Sequence, residues 1–535
     1  MKTGKLILLV LLQAIVFSCS KREDVVPGRA EPAVLTSVTV STNAVVLSEG
    51  ESASVSFTVN NPEYEFNYVV SSLGCQVKIL LSGGMDPEEF RLAEVTPGAK
   101  RGIYTAVIAD ISNGKGYDRE AVIAVATSPG VYVRSQSFRV MSEVSPAGTV
   151  KTGLPIVYVN TENAAPIKSK DTFVNTTVTI KGDGGYPGLD ASPARIRGRG
   201  NTTWTWPKKP YLIAFDKRQS VLGMPEHKRW VLLANFMDRT LMRNMVAMKV
   251  SSMMDNLDWT PRSVPVELVL NGKHQGTYLL IEQVRVDENR VNISEEGGYI
   301  FELDFHYDNA VQWIDRHGSC WGRSGGIPFS VKYPDDDEIT SDQITYAKNY
   351  IAEVASVIYG NYFTDSVSGY AKYLDVDSFI DYWLVYELMT NHELGNPGSV
   401  MFHKDAGGKL TAGPCWDFDW GVLSFYTSNG ASGLVVKDAI WYSRLFQDPD
   451  FKAKVKARFL ELKPQLQTIP AYMDKCEKLL EKSAELNFKM WNPADDKSQN
   501  GGSIINGDEN MTFHDAVVRL KSNYNKHLQI IEKQL

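Results

Sequence analysis

Between residues 36 and 145, apolar and polar positions alternate in short blocks. The blocks SVTVS, SASVSFTVN, FNYVVSS, CQVKILLS, GIYTAVIAD, EAVIAVATS and RSQSFRVMS each read as a strand, and turn-forming residues separate them. Roughly seven short strands in roughly 110 residues predict an all-β, Ig-like sandwich over 36–146. No cluster of chemically active residues lies in it, so its expected role is a spacer or a module that binds a glycan or a protein. Ser, Pro and Gly gather in VMSEVSPAGTVKTGLP, which marks a boundary.

From 150 to 535 the pattern begins with strands and ends with helices, an α+β arrangement. VPVELVLNGKHQGTYLLIEQV places Asn271-Gly272 between two β-rich runs and predicts a hairpin with a type I′ turn. In DVDSFIDYWLVYELMTN, Val376, Phe379, Ile380, Trp383, Leu384 and Leu388 recur at helical spacing, and Asp375 or Asp377 suits the N-cap. Near the C-terminus, Phe513, Val517, Leu520, Tyr524, Leu528 and Ile531 form one stripe, read as a core-facing side.

The first nineteen residues stand outside this pattern. Lys2 and Lys5 precede an apolar run, Leu6 to Phe17, which is too short to span a bilayer. It ends at Phe17-Ser18-Cys19, as a bacterial lipoprotein signal with a relaxed lipobox does. Cleavage would leave Cys19 lipidated, anchoring an exported protein at the outer membrane, facing the periplasm or the cell surface. A plain secretory signal with an incidental cysteine is the other reading. Residues 20–35 are polar, contain Pro and Gly, and read as a tether.

Composition changes little in this picture. The 535 residues carry a formal net charge of -7, and nothing in this balance points to nucleic-acid binding, which usually needs a basic face. Five cysteines, Cys19, Cys75, Cys320, Cys415 and Cys476, form no C-x-x-C pair, so a zinc knuckle is not expected and a disulfide-poor fold is.

Familiar catalytic motifs fail one by one. A phosphate loop and a dinucleotide fingerprint are both missing. His392-Glu393 opens like a zinc-protease motif, but Asn396 stands where the second histidine belongs. Gly322 to Gly326 fits G-x-S-x-G around Ser324, yet a strand-like IPFSVKYP follows where a nucleophile elbow needs a helix. The acidic run PDDDE, Pro334 to Glu338, could attract a cation and is read first as capping a helix that begins near Ser341.

Four stretches survive together. RIRGRGNTTWTWPKKPYLIAF is basic and Gly-containing. WVLLANFMDRTLMRN sets Asn235, Asp238, Arg243 and Asn244 in an apolar run. GTYLLIEQV holds Glu282 on an apolar strand. GPCWDFDWG sets Asp417 and Asp419 between tryptophans. Phosphoryl transfer requires cations for the nucleotide phosphates, carboxylates for a divalent metal, and a further carboxylate for the attacking hydroxyl. All these types are present, and composition does not establish that they converge. Asp417 and Asp419 also suit a local backbone-capping role, and Asp238 suits an N-cap with Arg243 and Asn244 as its polar network. Trp204 and Trp206 suit either packing or stacking on a base.

Taken in order, these motifs resemble the hallmarks of the CotH (spore coat protein H) kinase family across 150–535. The resemblance implies an atypical protein-kinase-like fold that moves phosphate from ATP to Ser or Thr hydroxyls of a protein substrate, with Mg²⁺ or Mn²⁺. It implies that Asp417 binds metal, with Asp419 as second ligand or structural partner. Lys209 would contact the ATP phosphates, with Lys208 and Arg197 as alternatives, and Glu282 would pair with that lysine. The family's catalytic acid is usually Asp in an Asn-x-Asp after the long helix. Asn391-His392-Glu393 stands there in this chain, so Glu393 takes the role with one methylene more. The second functional reading is a non-catalytic surface lipoprotein whose kinase-like scaffold binds protein or glycan.

Overall fold

The computed structural model describes residues 33–48, 50–71, 74–112, 117–143, 150, 152–306, 309–322, 325–428, 432–495 and 506–535. The expected signal 1–19, Cys19, most of the tether and Ser324 fall outside them. The chain divides into two compact units, Met1–Ser142 and Glu143–Leu535.

In the first unit, the strands Val38–Val40, Ser52–Val59, Ile103–Asp110 and Phe90–Pro97 lie side by side in that order. A second sheet orders Ala44–Ser48, Phe138–Glu143, Asp118–Ser128 and Val77–Leu81, with Val131–Arg134 paired to Asp118–Ser128. Alternate residues of both sheets share one core: Val55, Phe57 and Ile108 from the first, Ile79, Ile123 and Phe138 from the second. FNYVVSS is not a strand. Asn67 is tied to Gln76 and Gly74 by side-chain bonds in place of a ladder, and Phe66 and Tyr68 pack against Tyr104. The strands at Ala44–Ser48 and Phe90–Pro97 lay outside the blocks read from the sequence.

The second unit mixes α and β. Seven strands close into a barrel in the order Ile156–Thr161, Val174–Lys181, Leu189–Gly198, Tyr211–Val221, Met224–Leu233, Lys273–Glu282 and Ser263–Leu270, the last returning parallel to the first. The expected hairpin is there: Leu270 pairs with Lys273, and Asn271 and Gly272 both have positive φ, 50° and 77°, as a type I′ turn demands. Val157, Ile196, Ile213, Trp230 and Leu268 fill the barrel interior.

A five-stranded antiparallel sheet follows, ordered Gln312–Asp315, Ile327–Tyr333, Tyr299–Leu303, Val400–Lys404 and Leu410–Ala412. Helices pack against it, led by Val376–Leu388, capped by Asp375 and buried throughout except at its first two residues. Its large side chains, Phe379, Trp383 and Leu384 among them, contribute about 1.5–3 kcal/mol each on burial. Its two buried charges are matched: Asp381 is gripped by Arg458 at 2.8 and 2.9 Å, and Glu387 accepts bonds from the Val435 and Val436 amides. The acidic run Pro334–Glu338 does not cap the next helix. Thr340 and Gln343 form a capping box for Ser341–Tyr359, while Asp335 is held by Arg285. From the C-terminal stripe, Val517, Leu520, Tyr524, Leu528 and Ile531 are buried. Cys75, Cys320, Cys415 and Cys476 are free thiols. Among the described residues, no helix is long and apolar enough to cross a membrane.

Candidate active site

A cleft of about 450 Å³ opens where the barrel meets the five-stranded sheet. Five connections supply its walls. The first leaves the barrel strand Leu189–Gly198 and carries Arg199, Gly200 and Asn201. Gly198 has to be glycine, because a Cβ there would stand 2.4 Å from the Trp204 ring. The second is the turn after Met224–Leu233, where Asn235 sits in left-handed backbone at φ 47°. The third is the end of Tyr299–Leu303, with Glu302 and Asp304; beside it, Lys332 comes from the neighbouring strand. The fourth follows the buried helix Val376–Leu388, where the Asn391 side chain accepts the Glu393 amide at 2.9 Å and sets a short 3₁₀ turn. The fifth is the loop Trp416–Trp420.

That last loop is held by its backbone. Asn244 Oδ1 accepts the Phe418 amide at 2.8 Å, and Asn506 donates to Asp419 O and accepts the Gly421 amide, both at 3.1 Å. Fully buried Arg243 donates to Val422 O at 2.8 Å and is itself paired with Asp238 and Asp508. The clamp fixes Asp417 at φ 66°, a left-handed conformation that non-glycine residues adopt at a cost. Asp238 serves this scaffold: it accepts the Thr240 and Arg243 amides at 2.9 Å.

Charge defines the cleft. Glu302, Asp304, Glu393, Asp417 and Asp419 line it, with Arg199 and Lys332 as the cations. Asp417, Asp419 and Glu393 open onto the cleft and are partly buried. Burial raises the Asp417 carboxyl, opposed by Arg199 and reinforced by Asp304 and Glu302. Asp419 is pushed well above the ordinary range by burial and by Asp417. Burial and the charges of Asp417, Asp419 and Asp304 do the same to Glu393. A Cβ on Gly398 would lie 3.1 Å from Glu393 Oε1, so the glycine leaves room for the longer side chain. Lys332 Nζ meets Glu302 Oε2 at 2.8 Å, and the Arg199 guanidinium stacks on Trp416 at 5.6 Å.

Of the residues singled out in the sequence, Glu393, Asp417 and Asp419 line this cleft; Arg197, Lys208, Lys209 and Glu282 do not. Lys208 is fully buried elsewhere. Its Nζ is bound by Ala234 O, Thr277 O and Asn487 Oδ1, and burial lowers it to about 7. Lys209 donates to Trp204 O at 2.8 Å, bracing the turn that precedes it. Arg197 donates to Lys170 O and stacks on Phe173. Glu282 pairs not with Lys209 but with Arg262, at 2.9 Å. Trp206 is buried on the cleft wall against Phe236, and Trp204 packs on the barrel.

Sequence reasoning missed Arg199, Lys332, Glu302 and Asp304. The signal that flagged Glu282, a lone charge on an apolar strand, was equally present in YIFEL and IPFSVKY.

The donor set fits a hard divalent cation. Its oxygens are carboxylates crowded together with too little positive charge, the deficit that raises their proton affinity. Mg²⁺ takes one or two carboxylates and keeps several waters, and Asp417 with Asp419 supplies two. Among the described residues no group of three or more His, Cys, Asp or Glu is placed to hold a metal ion.

The CotH kinase protein family matches residues 196–531, and the chain belongs to that family. No curated protein matches the chain. Among solved structures, domains 4 and 5 of the S-layer protein SbsC align at 15% identity over 21% of this chain and 53% of that chain, about half its length, with a TM-score of 0.14. Fibronectin(III)-like modules of Clostridium thermocellum CbhA align at 12% identity over 34% of this chain and 86% of that one, also with a TM-score of 0.14. Scores this low carry no statement about the fold.

Proposed function

We propose that the second unit is an atypical protein kinase that transfers the γ-phosphoryl group of ATP to a Ser or Thr hydroxyl of a protein substrate. One observation carries this reading: Glu393, Asp417 and Asp419, from two separate loops, line one cleft together with Arg199 and Lys332. Asp417 and Asp419 would hold Mg²⁺ or Mn²⁺, which, when bound, neutralises phosphate charge. Arg199 and Lys332 attract the phosphate oxygens. Glu302 holds the Lys332 ammonium in place, the part a Lys–Glu ion pair plays in protein kinases. Glu393 accepts the proton of the attacking hydroxyl at its carboxylate. Trp206, Phe236 and Trp416 give the cleft an apolar side for the nucleoside.

Incubation with labelled ATP, Mg²⁺ or Mn²⁺ and an acceptor protein tests the reading, with Asp417→Ala beside the wild type. Label transfer by the wild type alone supports it. No transfer, and no nucleotide-dependent rise in Tm, would leave the cleft as a scaffold. That second reading, a non-catalytic surface protein binding protein or glycan, is favoured by one observation: Glu393 replaces the shorter acid and is held toward its protonated form. The N-terminal pattern supports export and anchoring at the outer membrane through a lipidated Cys19; loss of membrane association in Cys19→Ala tests it.

A further inference from the structure

Beside the cleft lies a second groove of about 350 Å³. The two share Lys332 as a wall. Arg197 and Arg285 line the groove, and Arg195 and Arg229 flank them. Arg195 and Arg229 are set opposite the same residue, Ala214, on the strand between theirs. Arg195 and Arg197 alternate on one face of Leu189–Gly198, stacked over the same Phe173 ring at 5.2 and 5.1 Å.

Among the described residues, three of these four guanidiniums lack a direct ion-pair partner. Arg285 is paired with Asp335. Asp336 and Asp337 also line the groove, Asp336 engaged by the Ala310 amide at 3.0 Å, and Asp171 offsets part of the Arg197 charge. Among the described residues, Arg195, Arg197 and Arg229 have no carboxylate within ion-pair distance. Burial and the charges of Arg285, Arg197 and Arg195 pull Arg229 below the ordinary arginine range, with Asp335 opposing. The next basic residue on the same run, Arg199, already lines the cleft. At about 3.3 Å per extended residue, Arg195 stands about 13 Å along the chain from Arg199. Guanidiniums without an ion-pair partner recognise carboxylate and phosphate groups through charge-assisted, often bidentate bonds.

We propose that Arg195, Arg197 and Arg229 receive an anionic side chain of the protein substrate, a carboxylate or a phosphate, about two to four residues from the acceptor hydroxyl. The proposal rests on the phosphotransfer reading and narrows it to acceptors with acidic or already phosphorylated neighbours.

The test uses the full chain and serine peptides carrying Glu, phosphoserine or Gln at offsets of about two to four residues. Peptide binding without ATP is read by fluorescence anisotropy, and KM and kcat are read with ATP. The wild type is expected to bind the anionic peptides about tenfold more tightly than the Gln peptide. In Arg195→Gln/Arg229→Gln that preference disappears, with kinetics on the Gln peptide and KM for ATP unchanged. Preference for phosphoserine over Glu identifies phosphate as the group read, and the reverse identifies the carboxylate. Exposed Arg195→Glu serves as a single variant should the double variant misfold, and it should show the same loss. Equal binding of all three peptides by the wild type overturns the proposal. So does a change in KM for ATP with peptide KM unaltered, which would assign the arginines to the nucleotide. Charge-dependent binding without phosphate transfer would remove the phosphotransfer reading and leave the anion stripe standing.

Discussion

Lys332 Nζ lies 2.8 Å from Glu302 Oε2, and both side chains border the cleft that holds Asp417 and Asp419. Asn309 also donates to the Glu302 carboxylate, at 2.9 Å. The lysine is therefore held from two directions, its carbon chain by the strand and its charge by a carboxylate that is itself oriented. Replacing it removes one of the two cations facing the carboxylates. Lys332→Met is expected to reduce phosphate transfer about a hundredfold or more and to weaken nucleotide-dependent stabilisation. Transfer assays and melting with and without ATP check this. Unaltered transfer would take Lys332 out of the mechanism.

Glu393 separates hydroxyl chemistry from nucleotide binding. Glu393→Gln keeps size and polarity but cannot take the proton. Loss of transfer by about 10²-fold or more is expected, with the ATP-dependent rise in Tm retained. Because burial and neighbouring carboxylates raise its proton affinity, the rate of the wild type should climb with pH through a range above the ordinary carboxylate value of 4.5. A rate already on its plateau at that value would contradict the assignment.

Asp419 ties the crowding of the cleft to stability. Its carboxyl is raised in the folded chain, whereas in the unfolded chain it titrates near 3.8. Below that pH both states are protonated and the group is neutral to folding. As pH rises above it, the unfolded state ionises first, so stability falls until the folded value is passed. Asp419→Asn should remove this loss. In chelator, its Tm at neutral pH is expected to exceed that of the wild type by a few degrees, with the two converging as pH falls toward about 4. Added Mg²⁺ should raise Tm in the wild type and much less in the variant.

Arg243 and Asp508 report on the clamp beneath the site. Arg243 is fully buried between Asp238 and Asp508. Asp508→Ala leaves its charge half-compensated, at a cost of about 3 to 5 kcal/mol. Urea denaturation should show that loss. A change under about 1 kcal/mol would mean that Asp238 suffices.

Local pattern carried a good deal of this molecule. The Asn271-Gly272 turn was legible because only residues tolerant of positive φ close a two-residue hairpin. The helix Val376–Leu388 was legible because its apolar positions keep helical spacing behind a capping aspartate. Two strands of the first unit were harder to read. Their apolar residues do not alternate cleanly, and what makes AVVLS and FRLAEVTP strands is pairing with neighbours distant in sequence.

The site divides the same way. Asp417 and Asp419 stood out as paired carboxylates between tryptophans, a pattern that suits backbone capping as well as metal binding, and Glu393 was reached only through the family resemblance. The choice among basic residues was not available from the chain alone. Arg197, Arg199, Lys208 and Lys209 lie within thirteen positions of each other, and period-two alternation and a short helical turn send them to four different places. Lys208 turns into a cage of oxygens, Lys209 braces a turn, Arg197 faces the outer groove and Arg199 enters the cleft. Lys332 and Glu302 are thirty residues apart, and they meet only because their strands pair antiparallel. The sequence by itself determined which chemistry was available; the register of the sheet and the closure of the barrel decided which charges deliver it, because Coulomb interactions depend on distances that only the folded chain sets.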